Sequence, residues 1–127
     1  MSRLVALRGE DAPDDADVVI RGGANGLSPE TLERTATRCF DEFGFYGVSV
    51  FVAIDISVEE LCRSVDAVQR YGQVRRSTVG RLHEAGFALI ATGRRPHFDI
   101  VLPDLAPSTF ARLATCFTDP ESNPGRA

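Results

Sequence analysis

At 127 residues, with 43% hydrophobic and 25% charged residues and a net charge of −4, the chain has the length and make-up of one globular domain. This composition excludes a disordered chain, and no apolar run reaches the ~18 residues that a membrane-spanning helix needs. The stretch Met1–Glu10 lacks the apolar centre of a signal peptide, so a cytoplasmic location away from membranes is expected.

Residues 1–16 read as a flexible acidic arm, with Glu10, Asp11, Asp14 and Asp15 broken by Pro13. Asp17 to Arg21 is a short β-branched run stopped by Gly22-Gly23, which predicts a strand. Ser28-Pro29-Glu30 then supplies a capping hydroxyl, a proline for the first turn and an acid for the positive end of a helix dipole. Leu32, Ala36, Cys39, Phe40 and Phe43 follow at helical spacing until Gly44. From Gly47 to Ile54 the chain is almost wholly apolar, as a central strand buried on both faces requires.

Ser57 and Glu60 form a capping box that opens a helix with Leu61, Cys62, Val65 and Val68 inward, closed by Tyr71-Gly72. Gln73 to Arg76 reads as a brief edge strand, and Ser77-Thr78 as the cap of a short helix with Val79 and Leu82 inward. Phe87 to Thr92 and His97 to Leu102 alternate as a hairpin joined by Gly93-Arg94-Arg95-Pro96. Pro107 starts a last helix with Phe110, Leu113, Ala114 and Phe117 inward, and residues 118–127 read as a flexible tail. The expected architecture is therefore one α+β domain over residues 17–117. It is a two-layer sandwich of a mixed, mostly antiparallel sheet with helices packed on it, in the order β-α-β-α-(β)-α-β-β-α.

Cys39, Cys62 and Cys116 each fall on an apolar helix stripe, and an odd count on buried faces reads as core thiols. Two histidines with no suitable cysteine spacing give no metal site, and no Walker loop, GxGxxG, GxSxG or HExxH occurs, so no cofactor is expected.

All 14 basic residues are arginines, and they are unevenly spread. Residues 69–98 carry Arg70, Arg75, Arg76, Arg81, Arg94 and Arg95 against Glu84 alone, a balance of +5, and hold both His83 and His97. Residues 1–17 set Arg3 and Arg8 against five acids, a balance of −3. One reading of the basic segment is a solvated face. The other is a site for RNA or another polyanion, with Arg75, Arg76, Arg81, Arg94 and Arg95 on phosphates and the acidic arm covering them when idle.

The segment Val79 to Pro103 is a helix ending in Ala-Gly-Phe, a strand, a glycine-started turn with His97 opening the next strand, and an apolar strand closing on proline. It resembles the HicA-like mRNA interferase toxins of bacterial toxin–antitoxin pairs. That resemblance implies a fold like a double-stranded RNA-binding domain and a catalytic role for His97. It departs at Pro96, where the family has a small hydroxyl residue, and in the two arginines of the turn. Metal-free RNA cleavage needs a base near neutrality and cations on the phosphate, which His97 with Arg94 and Arg95 would supply. The plainer reading of His97 is a half-exposed strand residue bonded to a neighbour such as Asp99. His83 reads as a helix–sheet boundary residue.

Separately, Arg21-Gly22-Gly23 at a strand end is similar to the arginine that opens the cofactor pocket in ADP-ribosyltransferases. The resemblance implies a guanidinium gripping a pyrophosphate while the glycines let the backbone approach. The family's later Ser-Thr-Ser element and catalytic glutamate have no clear counterpart, Ser77-Thr78 being a poor match. Three functions follow as expectations: a ribonuclease of toxin–antitoxin or defence type, an interaction module docking a cognate protein partner, and an ADP-ribosyltransferase-like enzyme using Arg21.

Overall fold

The computed structural model describes residues 7, 9–23 and 26–126, so Arg3, Arg8 and the rest of the expected arm before Gly9, Leu7 excepted, lie outside the described residues, as does the last residue of the expected tail. The strands are β1 (Asp17–Arg21), β2 (Gly47–Ala53), β3 (Gln73–Thr78), β4 (Ala88–Ala91), β5 (His97–Val101) and β6 (Glu121–Ser122). The helices are α1 (Pro29–Phe43), α2 (Val58–Ser64), α3 (Asp66–Gln69), α4 (Val79–Glu84) and α5 (Pro107–Ala114). The strands form one six-stranded sheet in the order β4-β5-β2-β1-β3-β6, every pairing antiparallel, with helices packed on it. This is the α+β class.

Local signals set most of these elements. The Thr31 N–H donates to Ser28 Oγ at 3.3 Å, and Gly44 ends α1 at φ 89°, a left-handed conformation that costs glycine little. The Glu60 N–H donates to Ser57 Oγ at 3.0 Å to start α2, and the Arg81 N–H donates to Thr78 Oγ1 at 3.1 Å to start α4. The helix expected to run on to Tyr71 is broken at Val65, whose extended backbone (φ −95°, ψ 109°) separates α2 from α3.

Strand alternation divides the core. Val18, Ile20, Val48, Val50, Val52, Phe98 and Ile100 meet α1 and α5 through Leu32, Ala36, Phe110 and Leu113 on one face of the sheet. Val19, Phe51, Ala53 and Val74 meet Val58, Leu61, Cys62 and Val68 of α2 and α3 on the other. Cys39, Cys62 and Cys116 are buried free thiols.

Two expectations are corrected. β3 is longer than a brief edge strand and lies inside the sheet, because β6 adds beside it through Gln73–Ser122 and Val74–Glu121. The chain after Phe117 is tied down rather than trailing. Asn123 is buried and its Nδ2 donates to the carbonyls of Val68 (3.0 Å) and Tyr71 (2.8 Å), while the Gly125 N–H donates to its Oδ1 at 2.8 Å. A buried amide with its donors and acceptor satisfied holds the segment as a strand would. Among the described residues no helix is long and apolar enough to cross a membrane.

Candidate functional site

The centre of the sheet opens at one end. The β1–β2 ladder runs from Asp17–Ala53 to Val19–Phe51 and stops. Each strand continues to pair with its other neighbour, β1 as far as Arg21–Val74 and β2 as far as Gly47–Val101. A cavity of about 480 Å³ sits in this opening, lined by Ile20, Arg21 and Gly22-Gly23 from β1 and its turn, by Val48 and Ser49 of β2, and by Thr31, Leu32, Arg34, Thr35 and Arg38 of α1. A smaller cavity of about 200 Å³ shares Arg21, Thr35, Arg38 and Ser49 and adds Cys39, Glu42, His97 and Asp99.

Arg21 is the last residue of β1, half-buried, with its guanidinium 5.4 Å from the ring centre of Tyr71, itself in the wall of the larger cavity. Arg34 and Arg38 stand one helical turn apart, so both reach the same side of α1. Three cations therefore border the opening, a geometry that suits a phosphate-bearing ligand.

His97 begins β5 on the same sheet face as Ser49 and Asp99. Its Nε2 lies 2.6 Å from Ser49 Oγ, and its Nδ1 lies 2.8 Å from Thr92 Oγ1 and 3.2 Å from the Thr92 carbonyl. Thr92 Oγ1 in turn donates to Asp99 Oδ2 at 2.7 Å. A carbonyl only accepts, so a neutral ring keeps its proton on Nδ1, which leaves Nε2 to accept from the Ser49 hydroxyl. The ring also meets Phe51 edge-on at 5.3 Å between centroids. Four residues thus form a chain from a cavity-facing hydroxyl to a buried carboxyl.

Burial dominates the electrostatics at the inner end. It holds the Asp99 carboxyl above its ordinary value, opposed by the Thr92 hydrogen bond and the nearby His97, with Glu42 adding to the rise. The Cys39 thiol is pushed up to about 12 by burial, with Asp99 and Glu42 adding to the rise, so it stays protonated at neutral pH.

The expected phosphate-binding set is not gathered around His97. Arg95 pairs with Glu10 of the arm at 2.7 Å, and Arg94 is exposed in the turn. Arg76 pairs with Glu121 at 2.9 Å, and Arg75 reaches the Thr118 carbonyl at 3.4 Å. Both lie on β3, three strand positions from β5 and hence roughly 14 Å away. Arg81 is exposed on α4, and His83, likewise exposed there, meets Asp14 at 3.0 Å. The arm does touch the basic segment, through Glu10 and Asp14.

Sequence reasoning passed over Ser49, Thr92, Arg34 and Arg38. Ser49 carried a signal, as the one polar side chain in the apolar run of β2. Arg34 and Arg38, with Thr31 and Thr35, form a polar stripe of helical spacing that flanks the buried stripe of α1. Thr92 carried none, because its partners come from the next strand.

No family model matches the chain, and no curated protein or solved structure does.

Proposed function

We propose that the protein is an ADP-ribosyltransferase-like enzyme that takes a dinucleotide such as NAD into the opening between β1 and β2. The observation that carries this reading is the convergence of Arg21, Ser49 and His97, from three strands, on adjoining cavities that share Arg21 and Ser49. A cavity of about 480 Å³ falls in the range of small-molecule sites rather than of a polyanion face. Arg21 and Arg38 supply cations for the pyrophosphate, and Gly22, which has no Cβ and stands in the cavity wall, lets the ligand approach the backbone. His97, with Nε2 as a base, accepts the proton of an attacking hydroxyl as the glycosidic bond breaks and the neutral pyridine leaves.

The test is titration calorimetry with NAD and with inorganic pyrophosphate, followed by a search for NAD-dependent modification of cell-extract proteins. Binding that is lost in Arg21→Ala, with the fold intact by circular dichroism, supports the reading. Wild-type protein that binds neither ligand overturns it.

A second reading, a metal-independent ribonuclease of toxin or defence type, draws support from the β4–β5 hairpin, where Ala88–Val101 to Ala91–Phe98 pair in register and His97 opens the second strand. In that case the phosphate cations are Arg21 and Arg38, in place of Arg94 and Arg95. Expression then halts growth, and His97→Ala relieves it. Normal growth on strong expression of the wild type counts against it.

The interaction-module alternative would rest on Leu7, Phe40, Ile56 and Tyr71, the large exposed apolar residues among those described.

A further inference from the structure

We infer that Ser49 is an activated nucleophile, able to form a covalent bond to an activated phosphoryl centre held against Arg21 and Arg38. The inference goes beyond the dinucleotide reading, since it needs only the Ser49–His97–Thr92–Asp99 chain and the cavity in front of it. Ser49 Oγ is 2.6 Å from Nε2, the ring nitrogen that the Thr92 carbonyl leaves unprotonated. The third and fourth members orient the ring: Nδ1 is held by both Thr92 oxygens, and the Thr92 hydroxyl is committed to Asp99. A hydroxyl, a base and an orienting group in this order are the parts of nucleophilic catalysis.

The surroundings suit the step. Ser49 is half-buried and borders both cavities, so a ligand reaches it. The competing nucleophile, Cys39, lines the smaller cavity but is held as a thiol, with its ordinary value raised to about 12. In the reaction, Ser49 Oγ forms the new bond to phosphorus and its proton passes to His97 Nε2. The bond from phosphorus to the leaving group breaks, and the electron pair departs on that group, which then takes the proton from His97. Arg21 and Arg38 offset the charge that gathers on the non-bridging oxygens.

A fluorophosphonate tests this on the intact protein, with fluoride as the leaving group and mass spectrometry as the readout. The expected result is one phosphonyl group on the peptide that holds Ser49, none on Ser49→Ala, and labelling slowed about 100-fold in His97→Gln. In a second variant, Ser49→Cys, the new thiol reacts with iodoacetamide ahead of Cys39, Cys62 and Cys116. An unlabelled wild type, a label elsewhere, or a Ser49→Cys thiol no faster than the buried three overturns the inference. NAD binding without labelling removes the Ser49 step alone, and labelling without NAD binding removes the dinucleotide reading alone.

Discussion

The hydroxyl of Thr92 donates to Oδ2 of Asp99 at 2.7 Å, a bond between two buried groups, one just past the end of β4 and the other on β5. Through it, a buried carboxyl in the wall of the smaller cavity is linked to a ring that borders the same cavity. Each member of the chain depends on the next, so the effects of substitutions along it differ in kind.

Replacing Thr92 with valine preserves shape but removes both the donor to Asp99 and one acceptor of His97 Nδ1. A buried acceptor left without its partner costs about 1–3 kcal/mol. Urea unfolding is expected to show a loss in that range, and fluorophosphonate labelling of Ser49 is expected to slow, because Nδ1 of the ring loses the Thr92 hydroxyl that helps to orient it. Unchanged values for both would remove Thr92 from the chain.

Asp99 makes stability depend on acidity. Its folded value lies above the ordinary 3.8, raised by burial and by Glu42 and opposed by Thr92 and His97; Cys39 is the other titratable group beside it. Between 3.8 and the folded value the native state holds a proton that the unfolded chain has released. Stability from this group therefore falls as pH rises through that window and levels off above it. Urea unfolding across an acid pH series is expected to show a component of the wild-type slope, downward with rising pH, that Asp99→Asn lacks. The comparison isolates this group from the exposed carboxylates.

The end of the chain is predicted to matter for stability, and through Asn123 it also holds the carbonyl of Tyr71, a residue in the wall of the larger cavity. Asn123→Ala removes two donors and one acceptor at a buried position and leaves the Val68 carbonyl without this partner, a loss of about 1–3 kcal/mol. Gly125→Ala is a separate check, since an added Cβ would lie 2.5 Å from Arg63 N and from Cys62 C, both backbone atoms. Both variants are expected to melt below the wild type in calorimetry. Full wild-type melting temperatures would mean that the segment after β6 contributes nothing.

The acidic arm is held by exposed or half-exposed pairs, Glu10 with Arg95 and Asp14 with His83. Such pairs are each worth about 0–1 kcal/mol and weaken with salt. Glu10→Gln is expected to leave the melting temperature nearly unchanged while speeding amide exchange over residues 9–16. Raising salt on the wild type should do the same. Exchange that is insensitive to both would show that backbone contacts, such as the Gly80 N–H to the Asp14 carbonyl at 2.8 Å, hold the arm unaided.

Much of the architecture was legible in the residues. Asp17–Arg21, the caps at Ser28, Ser57 and Thr78, and the stop at Gly44 all act over a few positions, and they appear where the pattern put them. The break at Val65 and the docking of Asn123 were not legible, since each answers to partners distant along the chain.

The candidate site divides in the same way. Its individual members carried faint marks: a histidine opening a strand, an arginine before two glycines, a lone serine in an apolar run. Charge along the chain pointed instead to Arg75, Arg76, Arg81, Arg94 and Arg95, because proximity in sequence was the only proximity available. Sequence by itself determined most of the helices and strands and most of the side chains that face the core, the exposed Phe40 of α1 excepted, because these follow from local propensity and period. Only the tertiary structure decided which charges and hydroxyls meet, because the end of the β1–β2 ladder at Val19–Phe51, and the cavity it leaves, arise from long-range pairing of strands with other neighbours.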